Sequence, residues 1–218
     1  MSNIIEYGSG SSEPSRRDGL PDRSFSGHGR HSGPVLLDIS GDSIHGTVTV
    51  ADTQFASVRV YTRSTVQSVV DAVRKTKIYL SGNTLTVKVP DFQVPPTVIQ
   101  GGSSRMVFSG SVSFIQVGGR STMIGGSGSG EDMVRVEVTL PRHSDIRADL
   151  GSGLLDVHGD LVGIEGDLSS GSIDVRGSVG KALVELSSGS FGIGRVTEGI
   201  EAKASSGSLN IGEYTGSH

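Results

Sequence analysis

The sequence predicts an all-β protein: a single-stranded parallel β-solenoid (β-helix) of about 18 residues per coil, with one short capping helix. Three observations predict it. Four copies of one pattern, 18 residues apart, open at Leu150, Leu168, Leu186 and Ala204, and each passes through a glycine into a short strand. The apolar pairs of those strands are Leu155 and Val157, Ile173 and Val175, Phe191 and Ile193, and Leu209 and Ile211. Upstream, apolar and polar residues alternate with a period of two, the spacing of half-buried strands. Gly is abundant at 33 residues while Pro stays at 7, and Val, Ile, Thr and Ser outnumber good helix formers, which suits many tight turns between strands.

Residues 1–33 are rich in Ser, Gly and Arg, with Arg16, Arg17, Arg23 and Arg30 balanced by Glu6, Glu13, Asp18 and Asp22. So few apolar residues predict a disordered tail, and the charge balance argues against a nucleic-acid-binding arm. The folded domain is expected over 34–218. Val35, Leu37 and Ile39 begin it, and Thr47–Val50 and Ser57–Tyr61 read as neighbouring strands with Val inward. In Ser64–Lys75 the period changes. Val66, Val69, Val70 and Val73 fall on one helical face, and Ser64 with Gln67 has capping-box spacing, so a short amphipathic helix is expected to cover a sheet edge.

Two matching strands follow, Thr84–Pro90 and Val134–Pro141, each stopped by a proline that cannot donate the next ladder bond. Between them lies an insertion, 91–133, with a hairpin expected to turn at Ser109-Gly110-Ser111. Its apolar residues Met106, Phe108 and Phe114 are the candidate interaction residues, carried between Gly-rich arms. Regular coils are expected from 150 to 218. One coil buries too few aliphatic side chains to offset the entropy of ordering it, so the coils must stack. The glycines Gly153, Gly171, Gly189 and Gly207 are assigned to the repeated corner, where a positive φ would exclude other residues. The adjoining Ser152, Ser170, Ser188 and Ser206 are expected to hydrogen-bond up the stack.

Chemistry is sparser than architecture. With no Cys there are no disulfides or thiolate sites. The six His are scattered, and the Asp156, Asp174, Gly192, Asn210 column lacks the acid per turn that calcium-binding β-rolls need, so no metal or cofactor is expected. Gly126–Gly130 lacks the Lys of a phosphate loop and reads as a linker. Asp145, Asp149, Asp156 and Asp174, with Arg147 or Arg176, are the acids and bases that a glycan-active β-helix enzyme would use; they also suit a solvated face. The net charge of −4, with both signs interspersed, supports no nucleic-acid partner, and no run is long and apolar enough to cross a membrane as a helix. The first 30 residues lack the apolar core of a secretory signal, which points to the cytoplasm while leaving surface association open.

The strand–Pro stops, taken with the unit Ser170-Gly171-Ser172-Ile173-Asp174-Val175-Arg176-Gly177, resemble a bacterial “putative adhesin” family of unknown function with β-strand repeats. The matching run starts at Val136–Pro141 and continues through Asp149–Gly153. The likeness covers 35–90 and 134–215 and is most specific in the second part. It implies a parallel β-solenoid, right-handed, often attached to cell-envelope or stress-response proteins, with no catalytic residues to carry over. The function expected is a non-enzymatic scaffold that presents a face or loop to a protein or envelope partner, or to a second copy of itself. The alternatives are the glycan-active enzyme and a regulatory protein whose 91–133 insertion closes over a small ligand.

Overall fold

The computed structural model describes residues 20–28, 31–94 and 132–216, together with the strand backbones 97–101, 104–108, 115–117 and 120–122. The first half of the chain contributes β1 (Asp22–Ser26), β2 (Leu36–Gly41), β3 (Ile44–Ala51), β4 (Ser57–Tyr61), α1 (Gln67–Lys75), β5 (Lys77–Ser81) and β6 (Thr84–Lys88). Four short strands follow: β7 (Thr97–Gly101), β8 (Ser104–Phe108), β9 (Ile115–Val117) and β10 (Arg120–Thr122). The remainder is β11 (Val134–Pro141), β12 (Asp145–Leu150), β13 (Leu154–His158), β14 (Leu161–Leu168), β15 (Ser172–Leu186), β16 (Ser190–Ala204) and β17 (Ser208–Tyr214).

The expected single-stranded parallel solenoid is corrected. Thirteen strands form one mixed sheet that curls into a mostly closed, barrel-like body. Three of its pairs are antiparallel: β1 with β4, β4 with β11, and β5 with β6. The decisive element is β11, parallel to β3 on one side and antiparallel to β4 on the other. A chain winding in one sense would lay each strand beside its predecessor one lap earlier. Here β11 instead enters between two strands already joined by the short segment 52–56. The all-β class and the single helix stand.

Within that mixed sheet the 18-residue repeat pairs in parallel register. Leu155, Ile173, Phe191 and Leu209 are successive partners across β13, β15, β16 and β17. Ile146, Ile164, Ala182 and Ile200 are successive partners across β12, β14, β15 and β16. The long β15 therefore belongs to two walls, and its register breaks between Val175 and Lys181 where it turns from one to the other. The inward residues of both walls make one apolar core, with Leu37, Ile39, Val48, Leu155, Ile173 and Phe191 among its buried members.

The positive φ expected at Gly153, Gly171, Gly189 and Gly207 is corrected. Positive φ among described glycines occurs only at Gly33, Gly82 and Gly159. At Gly171, Gly189 and Gly207 a Cβ would instead lie 2.5, 2.3 and 2.7 Å from the carbonyl oxygen of the glycine one repeat earlier. The corner is selected by close backbone stacking, which no side chain permits. The hydroxyls of Ser152 and Ser170 donate to the carbonyls of Asp42 and Gly151 rather than to each other.

Helix α1 buries Val69, Val70, Ala72 and Val73 and packs against β1 and β11. Its capping box does not form. Val66 is the N-cap, and the Ser64 hydroxyl accepts from the Val66 N–H while donating to Asp132 Oδ1 at 2.6 Å. Strand β1 falls inside the stretch read as a tail, because Phe25 supplies one apolar anchor and Arg23 donates to the carbonyls of Arg74 and Thr76 at the end of α1. In the insertion, β7 pairs antiparallel with β8, with Gly101 opposite Ser104, and the turn expected at Ser109-Gly110-Ser111 lies outside the described residues.

Candidate interaction face

Strands β1, β4, β11 and β3 lie side by side. Their inward residues, including Val58, Val60, Val136, Val138 and Val48, are buried, so the pleat turns the alternate residues outward. Register then sets the outward rows. One runs Ser24, Arg59, Glu137, Thr47 and continues into Asp156 of β13 and Asp174 of β15. A second runs Ser26, Ser57, Thr139, Thr49 and His158. The parts of these rows on β1, β4, β11 and β3 line a shallow cleft of about 590 Å³, in which Ser and Thr hydroxyls stand beside Arg59 and Glu137, and Phe25, Val58 and Val138 add apolar surface.

Arg59 organises the charged part. Its Nε and Nη2 donate to Asp22 Oδ2 at 3.0 and 2.7 Å, and its Nη1 lies 3.7 Å from Glu137 Oε2. The guanidinium carbon sits 4.6 Å from the centre of the Tyr61 ring, a cation–π contact. The Tyr61 hydroxyl in turn donates to Glu137 Oε1 at 2.7 Å. The hydrogen bond to Asp22 raises the Arg59 pKa above its ordinary value. Partial burial, and then the bond to Glu137, raise that of Tyr61. Arg59 and Tyr61 thus engage both carboxylates, a fixed polar surface suited to recognition. A further contact, His45 Nε2 to Asp156 Oδ2 at 3.6 Å, extends the pattern onto β13.

A second hydroxyl-lined groove, of about 320 Å³, follows the corner where Ser152, Ser170, Ser188 and Ser206 stack beside their glycines. It is open and built mostly from backbone and Ser.

The acids expected to serve an enzyme divide between two walls. Asp145, Arg147 and Asp149 project from β12, which pairs with β2 and β14. Asp156 and Asp174 sit on β13 and the first half of β15, with Arg176 beside Asp174 at 3.0 Å. Arg147 is paired instead with Glu165, at 2.8 Å. Among the described residues no three His, Asp or Glu converge in a way that could hold a metal ion. Met106 and Phe108 lie on β8, opposite Ile99 and Thr97, and their side chains lie outside the described residues, as does all of Phe114. Sequence reasoning missed Asp22, Arg59, Tyr61 and Glu137. Alternation alone marks Arg59, Tyr61 and Glu137 as outward, but nothing local announces that β4 will pair with β11 and β1.

No family model matches the sequence, and no curated protein matches it. Among solved structures, the chain is similar to a “putative cell adhesion protein” from Clostridium sporogenes, at 13% identity and TM-score 0.41, over 89% of this chain and 99% of that one. It is also similar to a “putative lipid binding protein” from Parabacteroides distasonis, at 13% identity and TM-score 0.27, over 91% and 95% of the two chains. A “putative adhesin” from Parabacteroides merdae matches at 8% identity and TM-score 0.29, over 88% and 95%.

Proposed function

We propose that this protein is a non-enzymatic interaction module, a rigid β framework that presents the polar face of β1, β4, β11 and β3 to a protein or envelope partner. The observation that carries this reading is the Arg59 network set within rows of hydroxyls. Ladder pairing fixes the spacing of every row, so a partner would meet donors and acceptors that need little further ordering. Arginine and tyrosine are also the side chains that most often dominate recognition energies.

The test is co-sedimentation with isolated cell envelopes of the encoding organism, comparing the parent chain with Arg59→Ala and with Thr139→Arg. Both variants are expected to fold, since Arg59 and its partners are exposed ion pairs that contribute at most about 1 kcal/mol. Both are expected to lose most of the envelope-bound fraction. Binding unchanged by either substitution would refute the assignment of this face, and no binding by the parent would refute an envelope partner. Subcellular fractionation of the same cells separates a cytoplasmic partner from an envelope one.

A further inference from the structure

At the β16–β17 side no described residue covers the interior of the sheet. Ala182, Val184 and Leu186 of β15 are buried, yet their next partners Ile200, Ala202 and Ala204 are half-buried or exposed. Ile173 and Phe191 are buried, as are Val175 and Ile193, while the next members of those columns, Leu209 and Ile211, are only half-buried. Strand β17 pairs with β16 over Ser190–Val196, and among the described residues nothing pairs with its other edge or with the outer edge of Gly199–Ala204. An apolar floor is thus bordered by two backbone edges able to accept a strand.

We infer that a second copy of this chain occupies this end, the two copies meeting antiparallel about a two-fold axis and continuing each other's sheet. Charge selects both the occupant and the register. The free edge reads Ile200-Glu201-Ala202-Lys203-Ala204. Antiparallel pairing centred on Ala202 sets Glu201 opposite the partner's Lys203, and Lys203 opposite the partner's Glu201. The same register sets Ile200 opposite the partner's Ala204, with the apolar residues of both copies on one side. Centring on Glu201 or on Lys203 would oppose like charges. A head-to-tail arrangement would set this edge against β1 or β5, strands joined antiparallel to the sheet that do not continue the repeat. A two-fold pairing is closed, so it ends at the dimer. The inference goes beyond the polar face of β1, β4, β11 and β3, which β13 and β15 separate from this edge in the sheet order.

Sedimentation equilibrium of the full chain, from micromolar to submillimolar concentration, tests it. The parent should reach twice the 22.6 kDa mass of one chain and stop there. Glu201→Lys and Lys203→Glu should each weaken self-association by about tenfold or more, since two opposed pairs become like-charged. An equimolar mixture of those two variants should restore it, because each then supplies the charge the other lacks. Ala202→Arg leaves the Glu185–Lys203 ion pair of 2.9 Å in place and should also abolish the dimer, which covers the case of a Lys203→Glu chain that fails to fold. A parent that stays monomeric, a dimer indifferent to Glu201→Lys and Ala202→Arg, a folded mixture that does not recover, or growth beyond the dimer would each overturn the inference. Envelope binding through Arg59 is read separately, so either result can fail alone.

Discussion

A methyl group at residue 189 would sit 2.3 Å from the Gly171 carbonyl oxygen, while one at residue 199 would meet nothing within 4 Å. The contrast makes a sharp comparison. Gly189→Ala should cost about 3 kcal/mol, as overpacking against backbone does, and Gly199→Ala should be neutral or slightly stabilising. Urea unfolding of the two variants reads both values. A second residue-scale effect comes from Asp145, whose pKa is raised by burial and lowered in part by a backbone hydrogen bond from Gly163. A raised carboxyl pKa means that the folded chain holds this proton more tightly than the unfolded chain. Stability therefore falls as pH rises from the ordinary carboxylate value through the raised one. Asp145→Asn removes that slope. Relative to the parent, the variant should gain stability as pH climbs through this window and hold the gain above it, as measured by urea titrations at a series of pH values.

Elements explain what could be read in advance and what could not. The repeat was legible because its period, its glycines and its apolar pairs all lie within one short stretch, and Ile173, Phe191 and Leu209 are indeed successive partners. The antiparallel part was not legible. Whether β4 pairs with β3 or with β11 depends on a strand that arrives much later in the chain, and Val-rich alternation suits either neighbour. For the same reason the Arg59 network was hidden, although each of its strand residues alternates outward. Strand β1 was missed because Asp22–Ser26 carries one large apolar residue, Phe25, and borrows the rest of its anchoring from β4 and α1. Removing residues 1–33 should accordingly lower the melting temperature, since it strips the edge partner from β4 and the Asp22 partner from Arg59. Packing between elements is equally specific. A Cβ on Gly166 would lie 2.5 Å from the Phe191 ring, so this large buried side chain fills the space above a residue with none. Phe191→Leu and Gly166→Ala should each destabilise, by about 1–3 kcal/mol, and the double variant should cost less than their sum.

At the scale of the whole molecule, one mixed sheet does two jobs. Its antiparallel part, with β11 lodged between β3 and β4, fixes the outward rows around Arg59. Its parallel part extends the same interior strand by strand, and Leu209, Ile211 and Ala202 are the last described members of their columns. The second inference depends on a ladder that is complete at β11 and β15 and free, among the described residues, along one edge of 199–204. Amide hydrogen exchange at two protein concentrations tests that asymmetry most directly, because slow exchange reports which backbone donors are paired. Peptides from Val134–Pro141 and Ser172–Leu186 should exchange slowly in both samples, whereas 199–204, bonded on one edge only to β15, should exchange faster when dilute and gain protection when concentrated. Exchange of 199–204 that is the same at both concentrations would contradict it.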